Sequence, residues 1–200
     1  SIAQQSEQRH AEKLDELLTL AIEQLEANDG KLITGVATGY PMLDEVTSGL
    51  QKGEMVIIAA RPSMGKTALA LNMAENIVML GIPVALFSLE MSRQQLVQRL
   101  LSSRSSVSGH SIRRNMLSDR DMEALIQATD DLMGKPLFID DTPGLTITQL
   151  RAKARRLKQS EDIGVIVIDY LQLMTSGKRT ESRQQEVSDI SRGVKALARE

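Results

Sequence analysis

Three sets of side chains, far apart in the chain, are of the types that phosphoryl chemistry needs: Lys66 with Thr67, then Glu90, then Asp169. Lys66 and Thr67 stand in "ARPSMGKTA", residues 60–68, which follows the phosphate-loop pattern G-x-x-x-x-G-K-[ST] except that Ala60 replaces the first glycine. In such a loop a strand delivers the chain into a tight turn and a helix begins. The backbone N–H groups of Met64 through Thr67 are expected to face an anion there, at the positive end of the helix dipole. Lys66 is suited to neutralise β- and γ-phosphate charge, and the Thr67 hydroxyl to ligate magnesium. Gly65 lets the backbone approach closely, and Pro62 stiffens the entry. Ala60 is read as the last residue of the strand, with no phosphate contact of its own. The expected nucleotide-binding set is therefore Arg61, Pro62, Ser63, Met64, Gly65, Lys66, Thr67 and Ala68.

Gly-Lys-Thr alone also fits a helix-capping turn, so the later carboxylates matter. "VIVID" is an apolar strand ending in Asp169, which puts a carboxylate at the carboxyl edge of a sheet, where open α/β folds bind ligands. Its expected task is to hold magnesium together with Thr67. Many nucleotide hydrolases carry a glutamate immediately after this aspartate, but here Tyr170 follows. The base that activates water must come from elsewhere. Glu90 ends "VALFSLE", the strand after the loop's helix, and a right-handed crossover brings it to the same edge. Glu90 and Lys66 are the expected catalytic pair.

These residues need strands and helices in alternation to hold them, and the sequence supplies that pattern. "EMVIIAA", "PVALFSLE", "PLFIDD" and "GVIVIDYLQLM" read as strands. Helices are expected over 66–80, 93–103, 119–132 (capped by Ser118) and 148–159, with a last one running to the chain end. "SSRSSVSGHS" reads as a Ser-rich loop. Unbroken apolar strands alternating with helices imply a mainly parallel sheet covered on both faces. The layout is that of a RecA-like P-loop NTPase: loop, glutamate and aspartate on three strands. Ahead of it, Leu14, Leu17, Leu18, Ala21, Ile22 and Leu25 mark one face of a helix that stops at Asn28-Asp29-Gly30. That stripe must pack on this domain, on a preceding one or on a neighbouring subunit. The chain divides into 1–33, a linker helix and hinge, and 34–200, the ATPase domain.

Composition narrows the class. The 200 residues hold 42% hydrophobic and 25% charged residues, no cysteine and only two histidines, His10 and His110. A thiolate metal site is excluded, and no zinc cluster is visible. No run approaches the roughly 18 apolar residues of a membrane span, and the polar start lacks a signal-peptide core, so a cytoplasmic protein is expected. A net charge of −2 and 2% aromatic residues argue against coating DNA by bulk charge or stacking bases on aromatic platforms.

Longer stretches resemble a known family. "TGYPMLDEVTSGLQKGEMVIIAARPSMGKTALALN", "FSLEMS", "SIRRNMLS", "IDDTPGLT", "VIVIDYLQLM" and "EVSDISRGVKALARE" are similar, in order, to the replicative DNA helicases of the DnaB family, from about Thr34 to the last residue. The alanine of "ARPSMGKT" is the form expected in that family. The resemblance implies a homohexameric ring that hydrolyses ATP with Mg2+ between subunits. It would move 5′ to 3′ on single-stranded DNA and unwind duplex, meeting a primase and a helicase loader. The family's arginine finger and main DNA-facing loops are expected largely beyond residue 200, and its primase-docking domain before residue 1. The leading helix resembles the family's linker helix.

Independent signs of DNA contact are limited. "RAKARRLK", residues 151–158, reads first as a solvated basic face and second as a phosphate contact. In "SGKRTESR", after the Asp169 strand, Lys178 and Arg179 are the candidate phosphate-binding residues. Arg113 and Arg114 fit either role. A RecA/RadA-class recombinase or switch ATPase, and a non-catalytic assembly module, share the loop and remain the competing readings.

Overall fold

The computed structural model describes residues 13–27, 30, 32–174 and 182–200. In chain order come α1 (Leu14–Ala27), α2 (Pro41–Thr47), α3 (Lys66–Met79), β1 (Val84–Ser88), α4 (Arg93–Ser105), α5 (Gly109–Arg114) and α6 (Asp119–Leu132). Then follow β2 (Leu137–Asp140), α7 (Ile147–Glu161), β3 (Val165–Asp169), a single 3-10 turn (Leu171–Leu173) and α8 (Arg183–Ala198). The three strands form one parallel sheet in the order β2-β1-β3.

Side chains of a strand alternate between faces, and this alternation sorts the core. Val84 and Leu86 of β1 pack with Leu71, Ala74 and Ile77 of α3 and with Leu96 and Leu100 of α4. Ala85 and Phe87 pack on the other face with Leu150 and Ala154 of α7 and with Ile190 and Leu197 of α8. The central strand is buried along its whole length, as expected of a parallel strand covered by helices on both sides. Helix starts are fixed locally by reciprocal capping: Ser92 with Gln95, Ser118 with Asp121 and Thr146 with Gln149 each exchange two hydrogen bonds.

The structure departs from the sequence expectations in two places. Residues 54–60 form no strand, and Val56 and Ile57 are 56% and 72% exposed. A β-branched run becomes a strand when a neighbour supplies the ladder, and among the described residues none does so here. A short helix, α5, begins within the segment read as a Ser-rich loop, and another, α2, occupies a segment to which the pattern assigns no element. Of the packing partners left open for the stripe of α1, this domain's core is not the one used: Leu14, Leu17, Leu18, Leu20 and Ile22 are all exposed.

The segment before the loop is fastened to α3 by a buried polar cluster. Asp44 of α2 accepts hydrogen bonds from the Thr38 N–H (2.8 Å), the Thr38 hydroxyl (2.7 Å) and the Gly39 N–H (3.1 Å). Asn76 of α3 in turn donates to the Thr38 carbonyl at 3.0 Å. Replacing Asp44 by Ala would leave three donors unmatched, and we expect it to cost about 2–4 kcal/mol in urea unfolding; a loss below about 0.5 kcal/mol would refute this account.

A second cluster braces α3, α4 and α6. Arg104 lies 3.7 Å from Glu75 and 3.0 Å from Asp131. Burial raises the Glu75 carboxyl above its ordinary value, and the Arg104 guanidinium offsets this only in part. Hydrogen bonds from Arg104 and Gln127 hold Asp131 below its own. A raised carboxyl favours the fold when protonated, so the contribution of Glu75 is present below pH 4.5 and lost as pH rises through its folded pKa. The melting temperature of Glu75→Gln should therefore gain on the parent as pH rises from about 4 to 7, whereas a constant offset would show that burial of this charge does not matter.

Candidate functional site

The period-two alternation that sorts the core also sorts the carboxylates. On β3, Val165 and Val167 pack towards α3, whereas Ile166 and Ile168 pack with the α7 and α8 cluster. Asp169 falls on the α3 side, and its side chain meets the start of that helix. Asp140 ends β2 with the opposite parity, on the side of Phe138, and meets α7 instead: Lys153 donates to it at 2.5 Å. The two strand-ending aspartates thus have different surroundings for a purely geometric reason. Hydrogen bonds from Lys153 and Thr142 outweigh the effect of burial and hold the Asp140 carboxyl below its ordinary value.

Asp169 is 3% exposed and ties the loop to the sheet. The Thr67 hydroxyl donates to its Oδ2 at 2.7 Å, and Lys66 Nζ lies 3.4 Å from its Oδ1. Lys66 Nζ also sits 4.0 Å from the centroid of the Tyr170 ring. Gly65 precedes α3 with φ +86°, a left-handed conformation that glycine adopts without strain, and no side chain caps this helix start. The first helical hydrogen bond runs from the Leu69 N–H to the Gly65 carbonyl, so the amides of Lys66, Thr67 and Ala68 precede it. The Met64 N–H, by contrast, donates to the Arg61 carbonyl at 3.3 Å and is engaged within the loop. Arg61, Pro62, Ser63, Met64, Gly65 and Ala68 are exposed; Lys66 and Thr67 are half-buried.

Glu90 is exposed on the turn between β1 and α4. That turn is closed by a side chain the sequence reading passed over. The Ser88 hydroxyl donates to the Met91 carbonyl at 2.8 Å and accepts the Met91 N–H at 3.2 Å. The Leu89 N–H donates to the Asp169 carbonyl at 2.7 Å, and Ser88 pairs in register with Asp169. Glu90 therefore stands on a turn joined to the backbone of Asp169. Beyond it, Arg93 binds Asp141 through both its side chain and its backbone N–H. The signal for Ser88 was its position at the end of a buried strand, on the same face as Leu86.

The arrangement offers two hard oxygen ligands, Thr67 Oγ1 and Asp169 Oδ2, beside a cation and a helix N-terminus. That is the donor set magnesium takes with phosphate, since the ion keeps most of its waters and needs few protein ligands. Among the described residues no group of three or more His, Asp or Glu side chains could hold a metal by itself. A groove of about 550 Å³ lies elsewhere, between β2 and α7, lined by Phe138, Asp140, Arg156 and Leu157 among others.

The basic helix α7 is largely committed within the chain. Arg151 and Arg155 pair with Glu200, Lys153 with Asp140 and Lys158 with Asp162. This favours the solvated basic face over a DNA contact. Lys178 and Arg179 lie outside the described residues.

Comparison with known proteins agrees with this geometry. The family model for the DnaB-like helicase C terminal domain matches residues 35–200. The chain is 50% identical over 181 residues to the replicative DNA helicase DnaB of Geobacillus stearothermophilus, covering 90% of this chain and 40% of that protein. It is 47% identical over 191 residues to the one from Leifsonia xyli, covering 94% and 42%. The chain thus spans about two fifths of these relatives. Its fold matches that of a solved ATPase domain with a TM-score of 0.87 at 36% identity, over 95% of this chain and 68% of that one. A DnaB-like replicative helicase, solved in a study of its interactions with primase, gives a TM-score of 0.84 at 35% identity, over 95% and 46%. A parallel sheet flanked by helices, a Gly-Lys-Thr loop tied to a strand-ending aspartate, and these matches agree: the chain has a RecA-like fold and belongs to the family of DnaB-like helicase C-terminal domains.

Proposed function

We propose that this chain is the ATPase part of a ring-forming replicative helicase, with residues 1–33 as its linker and 34–200 as its motor domain. The observation that carries the reading is the 2.7 Å hydrogen bond from Thr67 to Asp169, with Lys66 beside it. It brings the Gly-Lys-Thr loop and a strand-ending carboxylate together at the edge of one sheet.

On this reading the phosphates of ATP lie at the start of α3, where the amides of Lys66, Thr67 and Ala68 and the ammonium of Lys66 oppose their charge. Thr67 and Asp169 hold Mg2+, which neutralises phosphate charge when bound. Glu90 would accept a proton from the attacking water, and the Leu89–Asp169 hydrogen bond joins its turn to the strand that ends in Asp169. The reading extends to a homohexamer that moves 5′ to 3′ on single-stranded DNA in the cytoplasm, with a primase and a loader as partners. Support for assembly comes from the exposed stripe of α1, which suits docking on a neighbouring copy. The described residues include no helix long and apolar enough to cross a membrane. Lys178 and Arg179 are proposed as DNA-phosphate contacts.

The test is strand displacement on a forked duplex by the full-length protein. Unwinding should require a 5′ single-stranded tail, ATP and Mg2+, and should vanish with Lys66→Ala. Hydrolysis without displacement on any fork would favour a recombinase or switch ATPase instead. Glu90→Gln should lower kcat for ATP by about 100-fold or more while moving KM by less than about threefold. Unchanged turnover would remove Glu90 from the role of base.

A further inference from the structure

We infer that Tyr170 is a positioning residue for Lys66: the face of its ring holds the lysine ammonium at the mouth of the loop without cancelling its charge. The inference rests on the nucleotide-site reading above and assigns a role to a residue which that reading leaves idle.

Lys66 is the first residue of α3, and its ammonium ends a four-carbon stem with considerable rotamer freedom. Two groups restrain it. Asp169 Oδ1 lies 3.4 Å away, an ion pair longer than a strong hydrogen bond. The Tyr170 ring lies 4.0 Å from Nζ, well inside the roughly 6 Å at which a cation is drawn to an aromatic face. Tyr170 is half-buried, directly after Asp169 and ahead of the Leu171–Leu173 turn.

The two restraints differ in what happens when the site is used. Asp169 already accepts from Thr67 on Oδ2, and a divalent ion at Thr67 and Asp169 competes with the ammonium for the remaining oxygen. The hold of Asp169 on Lys66 therefore weakens as the ion is bound. The ring binds neither metal nor phosphate, so its hold persists. A neutral ring restrains the ammonium and leaves its charge intact. The attraction needs the ring face, not the hydroxyl, so phenylalanine should serve as well.

The experiment is a double-mutant cycle in the full-length protein, read by equilibrium titration with a fluorescent ATP analogue and Mg2+. We expect Tyr170→Leu to weaken binding by about 3- to 30-fold and Tyr170→Phe to stay within about twofold of the parent. In the Lys66→Ala background, Tyr170→Leu should have no further effect. If Tyr170→Leu does not fold, Tyr170→Met, similar in length but without a π face, replaces it in the cycle. Parent-like binding by the leucine or methionine variant would overturn the inference. So would an equal loss in the Lys66→Ala background, which would mark a merely structural ring. Should Lys66→Ala itself bind as tightly as the parent, the nucleotide-site reading fails first and carries this inference with it.

Discussion

The contact between Thr67 and Asp169 is the point on which the site turns, because it joins a loop and a strand 102 residues apart in the chain. Its origin is the two-residue alternation of β3. With Val165 and Val167 half-buried on the α3 side, the strand can place its terminal carboxylate only on that same side. A one-residue slip in the pairing of β1 with β3 would turn Asp169 towards α7 and α8 and break the site, and would exchange the valine and isoleucine sets between the two faces. The hydrophobic core and the Thr67–Asp169 contact are therefore fixed by the same register. Core substitutions on β3 that loosen this register would be felt at Thr67 although they touch nothing there.

The surroundings hold the two sides of that contact still. Glu75 and Arg104 tie α3 to α4, and Asn76 ties α3 to the Thr38–Asp44 cluster, so the helix that begins at the loop is held from two directions. On the strand side, the turn bearing Glu90 is closed by Ser88 and bonded to Asp169 through Leu89. Burying Glu75 is unfavourable in itself, since burial raises its carboxyl. Buried charge of this kind stabilises poorly but limits how helices can slide, which is what a helix carrying a phosphate loop requires.

Most of the helices were legible because their signals are local. Ser118 heads α6 and pairs with Asp121, as its position before an amphipathic run implies. Strands β1, β2 and β3 were legible as unbroken apolar runs between helices, and Asp169 as the polar residue ending the last of them. The misreading of 54–60 has the opposite cause: an apolar β-branched run does not say whether a neighbouring strand will be there to pair with it. The short helix α5 was hidden by glycine and serine, which read as loop yet also supply helix starts, as Ser108 does, while α2, opened by Pro41, is too short to show a helical period. Within the site, Lys66, Thr67 and Asp169 were visible by type and spacing. Ser88 and Tyr170 were not, because each acts through a contact that only the folded chain creates.

The exposure of the site bears on how it could work. Met64 is 73% exposed, and Arg61 through Gly65 and Glu90 face solvent, whereas Asp169 is buried. Electrostatic stabilisation of developing phosphate charge is strong where water is excluded and weak where it is not. The buried side of this site meets that requirement and the outer side does not. A second surface laid over the loop and Glu90 would complete it, and the apolar stripe of α1, equally uncovered, asks for a partner of its own. One ring of identical chains meets both demands, since closed symmetry lets every copy offer one uncovered surface and cover another. On the proposed reading, hydrolysis and assembly are then one property: a subunit alone holds the ion and the phosphates but leaves water at the reacting face.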